Sequence, residues 1–163
     1  YMAKVREGFA LDAWLANWDA VGLVLDNIVE GGDGQPHRID AGGALIFRAM
    51  GDKKGAAFGP NVTEFDSLRN PSTAPQAEKV FGGISAAEIA KSVGRVTAIS
   101  PDEIRQLVKD HDMDPSLADL LIARRKNLIS KVAGPSAATP NAPAAKVTSP
   151  DFTILPKDQQ KAA

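Results

Sequence analysis

The sequences NWDAVGLVLDNIV (residues 17–29) and HRIDAGG (residues 37–43) flank the glycine-rich segment EGGDGQP. An apolar run on each side of such a dense turn signal predicts a β-hairpin. Three polar side chains interrupt the pattern: Asp19 and Asn27 precede the turn, and Asp40 follows it. Each of them alone is typical of a turn or loop. Together they also supply the oxygen ligands that a metal-bound phosphate requires.

The composition limits the classes of protein that this chain can belong to. Its 163 residues, 44% of them hydrophobic, predict one globular domain with an additional segment. A net charge of -1 gives no field that would attract nucleic acid, so no nucleic-acid partner is expected. The absence of cysteine excludes thiolate chemistry and fits a reducing compartment such as the cytoplasm. No apolar window approaches the roughly 18 residues of a membrane span.

Helical patterns lie on both sides of the predicted hairpin. Residues 2–18 repeat apolar side chains at helical spacing, and Trp14 and Trp18 are expected to pack into the core. Because the chain opens on Tyr1 within this pattern, we expect it to be part of a longer protein. Residues 47–75 are expected to form a long loop, with one helical turn near its end.

Helix-start signals are clearest in the C-terminal half of the domain. Ser85 with Glu88 and Ser100 with Glu103 have the spacing of capping boxes, and each precedes an amphipathic stretch. Asp114–Pro115 predicts the start of a third helix. The sequence therefore predicts three successive helices after the loop.

Several polar groups have both a structural and a functional interpretation. The run Arg124–Lys126 and the segment GDKKG (residues 51–55) are each expected to be solvated, although either could contact phosphate. His37 is expected to be a surface side chain rather than a catalytic base. We therefore assign none of these groups to the predicted site.

The composition changes after Val132. Residues 133–163 are rich in Ala, Pro, Ser and Thr and are predicted to form a flexible tail. The segment DFTILP, residues 151–156, is an apolar island within it. Nonspecific packing is the simpler expectation, and strand addition to a partner or to the domain itself is the alternative.

The arrangement of Asp19, Asn27 and Asp40 resembles the catalytic and metal-binding loops of atypical kinases related to HipA and the phosphoinositide kinases. In that group a loop with a catalytic aspartate and a metal-binding asparagine precedes a hairpin that ends in I-D-x-G. Here "RIDAGG" supplies the second element, and 13 positions separate Asn27 from Asp40. The layout is also similar to kinase-like modules embedded in large phage and bacterial proteins.

The resemblance implies a function and a set of roles. Asp19 would be the catalytic aspartate, and Asn27 and Asp40 would bind Mg²⁺ and, through it, ATP. Asp26, directly before Asn27, is an alternative to Asp19. The family's histidine after the catalytic aspartate is absent, because Ala20 and Val21 occupy those positions.

The resemblance covers only one lobe of a kinase. Within the 163 residues, no glycine-rich nucleotide loop and no strand lysine precede the predicted site. We therefore expect an α+β, mainly helical kinase C-lobe-like domain over residues 1–132, with its N-lobe supplied by an upstream segment or a neighbouring chain. The alternative is a catalytically silent module that serves as a structural part of a larger protein. Its location would be cytoplasmic, or virion-associated if the protein is phage-encoded.

Overall fold

The computed structural model describes residues Tyr1–Ala133 as a mainly helical α+β structure. Its only regular sheet within that range is a two-stranded antiparallel hairpin. The α-helices are α1 (Met2–Arg6), α2 (Phe9–Trp14), α3 (Glu64–Ser67), α4 (Pro75–Phe81), α5 (Ala86–Thr97), α6 (Pro101–Asp110) and α7 (Pro115–Val132). The strands are β1 (Ile28–Glu30) and β2 (Pro36–Arg38), and residues Gly55–Ala57 form a 3₁₀ turn. The predicted α+β class is confirmed at this level.

The hydrophobic core surrounds Phe9 at the start of α2. The Phe9 ring centroid lies 5.5 Å from that of Phe65 in α3 and 5.3 Å from that of Phe81 in α4. Helices α5, α6 and α7 add further buried side chains to the same core: Val93, Val96, Ile104, Val108, Leu117 and Leu128. Helix α2 is thus central to the packing, and it leads directly into the loop that carries Asp19.

The single helix predicted for residues 2–18 is wrong, because the chain forms two short helices and then a turn. The break falls at Gly8, where an added Cβ would lie only 2.3 Å from Nη2 of Arg38. Helix α2 then ends at Trp14, and Ala16 adopts a left-handed conformation with φ of 52°. Trp14 is therefore a helical core residue, whereas Trp18 lies in the following turn and is half-buried.

The three C-terminal helices confirm the capping signals. Ser85 and Glu88 form a complete capping box at the start of α5, and Ser100 and Glu103 do the same for α6. At the start of α7 the Asp114 side chain accepts a hydrogen bond from the Ser116 N–H. The single turn expected near the end of the long loop is α3. Helix α4 was not predicted, and it has no capping side chain at its N-terminus.

The hairpin is present but shorter than the apolar pattern predicts. Each strand has three residues, with Val29 paired to His37 at the centre. Beyond β2 the chain leaves the sheet, because the Leu45 N–H donates to the Leu15 carbonyl at 2.6 Å instead of continuing the ladder. His37 is exposed and lies 3.1 Å from Oδ1 of Asp33, in agreement with its expected surface position.

The predicted domain boundary at Val132 coincides with the end of α7. The predicted tail beyond Ala133, including residues 151–156, lies outside the described residues. Within Tyr1–Ala133, no helix has the length and apolar character that crossing a membrane requires.

Candidate functional site

The loop that carries Asp19 begins where α2 ends. The Asn17 N–H donates to the Asp12 carbonyl at 2.8 Å, which closes the last turn of the helix. The left-handed backbone at Ala16 then directs the chain across the end of α2. Asp19 follows in a turn and is half-buried. Its position is therefore set by how α2 ends.

Asn27 joins this loop to both strands. Its side-chain Nδ2 donates to the Asp19 carbonyl at 2.7 Å, and its backbone N–H donates to the Val21 carbonyl at 3.2 Å. Its own carbonyl accepts from the Ile39 N–H at 3.1 Å. Two of the three predicted site residues, Asp19 and Asn27, are therefore in direct contact.

The turn that carries Asp40 packs against the same loop. The Trp18 N–H donates to the Gly43 carbonyl at 3.3 Å, and a Cβ added to Gly43 would lie 3.1 Å from the Asp19 Cβ. Only glycine permits this approach without displacement. Residue 43 thus brings the Asp40 turn next to Asp19.

The surroundings of the Asp40 side chain differ from those that we expected. We expected an acid at the end of an apolar strand, where an unpaired buried carboxylate would be costly. Instead β2 ends at Arg38, and Asp40 is exposed. Its Oδ1 accepts a hydrogen bond from the Gly42 N–H at 2.8 Å, which is an Asx turn. The local structure alone therefore accounts for an aspartate at this position.

The buried side chain of Lys54 connects the Asp19 loop to the turn that carries Asp40. Its Nζ donates to the carbonyls of Ala16 at 2.8 Å, Gly43 at 2.7 Å and Leu45 at 2.8 Å. The side chain is only 4% exposed and lies 4.9 Å from the Trp18 ring centroid. Burial lowers the pKa of Lys54 to about 8. The solvated turn predicted for GDKKG is therefore wrong at this residue.

A second buried charge links the site to the C-terminal helix. Nη2 of Arg124 in α7 lies 2.7 Å from Oε2 of Glu64, and both side chains are almost completely inaccessible. The other carboxylate oxygen of Glu64 accepts from Nε1 of Trp18 at 2.9 Å. Arg124 also donates to the carbonyls of Ala13 and Trp14. The prediction that Arg124 is solvated is therefore wrong.

The hairpin is attached to α2 by an ion pair between Arg38 and the buried Asp12. Arg38 contacts both carboxylate oxygens of Asp12, with Nε 2.8 Å from Oδ1 and Nη2 2.6 Å from Oδ2. Burial raises the pKa of the Asp12 carboxyl, and the Arg38 guanidinium opposes that shift. This pair fixes the orientation of β2, and hence of the turn that follows it, relative to the Asp19 loop.

The supporting residues differ in how clearly the sequence marks them. Asp12 and Arg124 each interrupt an apolar helical face, which is a recognisable sign of a buried, paired charge. Lys54 lies in a glycine-rich loop, where nothing in the local pattern distinguishes a buried lysine from a solvated one. Its role depends entirely on carbonyl groups that are distant in sequence.

A cavity of about 440 Å³ beside the hairpin is lined by residues such as Lys4, Glu7 and Arg38, and not by the predicted site residues. Within the described residues, no group of three or more His, Cys, Asp and Glu side chains is arranged to hold a metal ion. The Asp19 loop and the Asp40 turn together carry the carboxylates of Asp19, Asp26 and Asp40 and the amide oxygen of Asn27.

Comparison of the chain with protein-family models, with curated proteins and with solved structures finds no match.

Proposed function

We propose that residues 1–132 form the C-lobe of an atypical phosphotransferase that uses Mg²⁺ and ATP, and that a second lobe completes the active site. The observation that supports this proposal best is the packing of two loops. Asn27 is hydrogen-bonded to the Asp19 carbonyl, and Gly43 places the Asp40 turn against Asp19. The order and clustering of these segments suit a phosphoryl-transfer site.

The available donor set suits the metal. Mg²⁺ prefers carboxylate and amide oxygens and retains several of its waters. Because Nδ2 of Asn27 is directed at the Asp19 carbonyl, its Oδ1 lies on the opposite side of the amide group. Asn27 and the exposed carboxylate of Asp40 would hold the ion, whose chemical contribution is to neutralise charge on the transferring phosphate.

The other roles belong to the protein itself. The half-buried Asp19 would orient the acceptor hydroxyl and accept its proton. Asp26 is the alternative for this role; it is exposed and directly precedes Asn27. In this proposal the second lobe would grip the nucleotide and exclude water, both of which phosphoryl transfer needs.

Substitution of Asp40 tests the proposal in the complete protein. Asp40→Ala should abolish Mg²⁺-dependent nucleotide binding measured by calorimetry. Asp40→Asn retains an oxygen that can accept the Gly42 hydrogen bond, so it should keep the turn and still lose affinity. Asp119→Asn, on the exposed face of α7, is the matched control. Unchanged affinity in both Asp40 variants would refute the metal-binding role.

A different observation favours the alternative of a silent structural module. The loop between Asp19 and Asn27 exposes Leu23 and Val24, which are 79% and 78% accessible. Apolar side chains exposed side by side suggest contact with another protein surface. In that case a partner chain should raise the melting temperature, whereas Mg²⁺ and ATP should leave it unchanged. A thermal-shift assay on this chain and on the full gene product separates the two proposals.

A further inference from the structure

A second surface, on the side of the molecule formed by α2, α6 and α7, has no role in the proposed site. It is a groove of about 290 Å³, here named the α6 groove, and His111 is the only lining residue with an ionisable side chain. The rest of its lining is apolar and includes Leu11, Trp14, Leu107 and Leu117. Of these, Leu107 is 51% exposed and Leu11 is 39% exposed. Accessible apolar side chains that line a concave surface favour docking of an apolar segment.

Charged residues border the groove on one side. A neighbouring cavity of about 620 Å³ shares Val108 and Met113 with the α6 groove, so the two lie side by side. That cavity is also lined by Arg105 and Lys109 of α6 and by two carboxylates, Asp112 and Asp119. A matching ligand would therefore be an apolar segment that is flanked by charges of both signs.

The chain contains such a segment. Residues 134–163 carry four large apolar side chains, and three of them lie together in DFTILP: Phe152, Ile154 and Leu155. An acid, Asp151, precedes the three, and Lys157 follows them. The composition of this segment complements both the apolar lining and the charged border of the groove.

The chain between α7 and residues 151–156 is long enough for this segment to reach the α6 groove. Helix α7 ends at Val132, and Leu117 lies 15 residues earlier, about 22 Å back along the helix axis. Residues 134–150 can span up to about 56 Å when extended. This maximum exceeds the required distance. The effective concentration of an attached segment at such a separation is in the millimolar range, so weak affinity would suffice.

We propose that residues 151–156 dock intramolecularly in the α6 groove. The proposal is independent of any phosphotransferase activity, because Asp19, Asn27 and Asp40 take no part in it. Docking would cover Leu107 and Met113, and would place Asp151 and Lys157 near the charges at the border.

A spin label on the tail tests the proposal in the full chain. The protein has no cysteine, so Gln159→Cys provides a single attachment site close to the segment and leaves Lys157 in place. Docking should cause the backbone amide NMR signals of Leu107, Val108 and Met113 to lose intensity when the label is paramagnetic. The loss should not depend on protein concentration.

Matched variants in the same labelled background complete the experiment. Phe152→Ser with Ile154→Ser should restore the signals, whereas Val147→Ser, a control within the tether, should not. Leu107→Gln should also restore the neighbouring signals. If Leu107→Gln fails to fold, the two tail variants still decide the outcome. Full signal intensity in the labelled protein that carries no further substitution would refute docking. A loss seen only between labelled and unlabelled chains in a mixed sample would assign the groove to a second copy and would also refute the proposal.

Discussion

Asn27 illustrates how a single amide can organise a loop. Its side chain and backbone together join the Asp19 loop to β1 and to the residue that follows β2. Gly22 has a φ of 77°, and an added Cβ would lie 3.1 Å from Oδ1 of Asn27. The conformation of this loop therefore depends on both residues.

Substitution of Asn27 should destabilise the domain. Asn27→Ala removes the donor to the Asp19 carbonyl from a buried position, which should cost about 1–3 kcal/mol of unfolding free energy. Urea denaturation measures this loss. Asn61→Ala, at an exposed side chain, is the matched control and should stay within about 0.5 kcal/mol of the wild type. Equal effects of the two substitutions would contradict the structural role of Asn27.

Substitution of the buried Lys54 should destabilise the domain more than substitution of an exposed lysine. Lys54→Met keeps the length of the side chain but leaves the Ala16 and Leu45 carbonyls without this donor, while Gly43 keeps only the Trp18 backbone N–H, so we expect a loss of about 2–4 kcal/mol. Lys126→Met, at an exposed position on α7, is the control. Chemical denaturation gives both values. The amide signals of Asp19 and Gly43 should also shift in the Lys54 variant; if they do not, Lys54 does not connect the two loops.

At the scale of the elements, a helix start could be predicted from the sequence wherever a capping side chain marks it. Helices α5, α6 and α7 begin at Ser85, Ser100 and Asp114, as the capping patterns predict. The two N-terminal helices were not separated, because apolar side chains continue at helical spacing across Gly8, from Val5 to Phe9. The strands were predicted too long, because an apolar run does not show where a strand leaves its partner.

The capping boxes make the stability of the fold depend on pH in the acid range. Hydrogen bonds from the Ser85 backbone N–H and hydroxyl lower the pKa of Glu88, and Ser100 does the same for Glu103. Because the folded pKa lies below the ordinary value of 4.5, this stabilisation is fully present above pH 4.5 and is lost as pH falls through the folded value.

The double variant Glu88→Gln with Glu103→Gln tests this dependence. Glutamine can still accept the serine N–H bond but does not titrate, so stability should fall less steeply below pH 4.5 than in the wild type. Melting temperatures across the acid range provide the measurement. Asp119→Asn, an exposed carboxylate in α7 that takes no part in capping, is the control and should keep the wild-type slope.

At the scale of the whole molecule, buried charges hold distant parts of the chain together. Arg124 connects α7 to the end of α2 and to Glu64 in α3, while Asp12 and Arg38 connect α2 to the hairpin. These pairs could not be predicted, because each partner is specified only by the folded topology. The loops that carry Asp19, Asn27 and Asp40 could be located in the sequence, because turn residues and glycines mark them.

Removal of Arg124 should affect the entire domain. Arg124→Met leaves the Glu64 carboxylate buried, with the indole Nε1–H of Trp18 as its remaining hydrogen-bond donor. We therefore expect a loss of about 3–5 kcal/mol of unfolding free energy. Adding Glu64→Gln removes that charge, and the double variant should be less destabilised than the sum of the two single variants. Lys126→Met serves as the surface control. Urea unfolding followed by tryptophan fluorescence reports on this region directly, because both tryptophans contact these elements. Additive effects of the two substitutions would mean that the pair does not couple α7 to the loop beneath the candidate site.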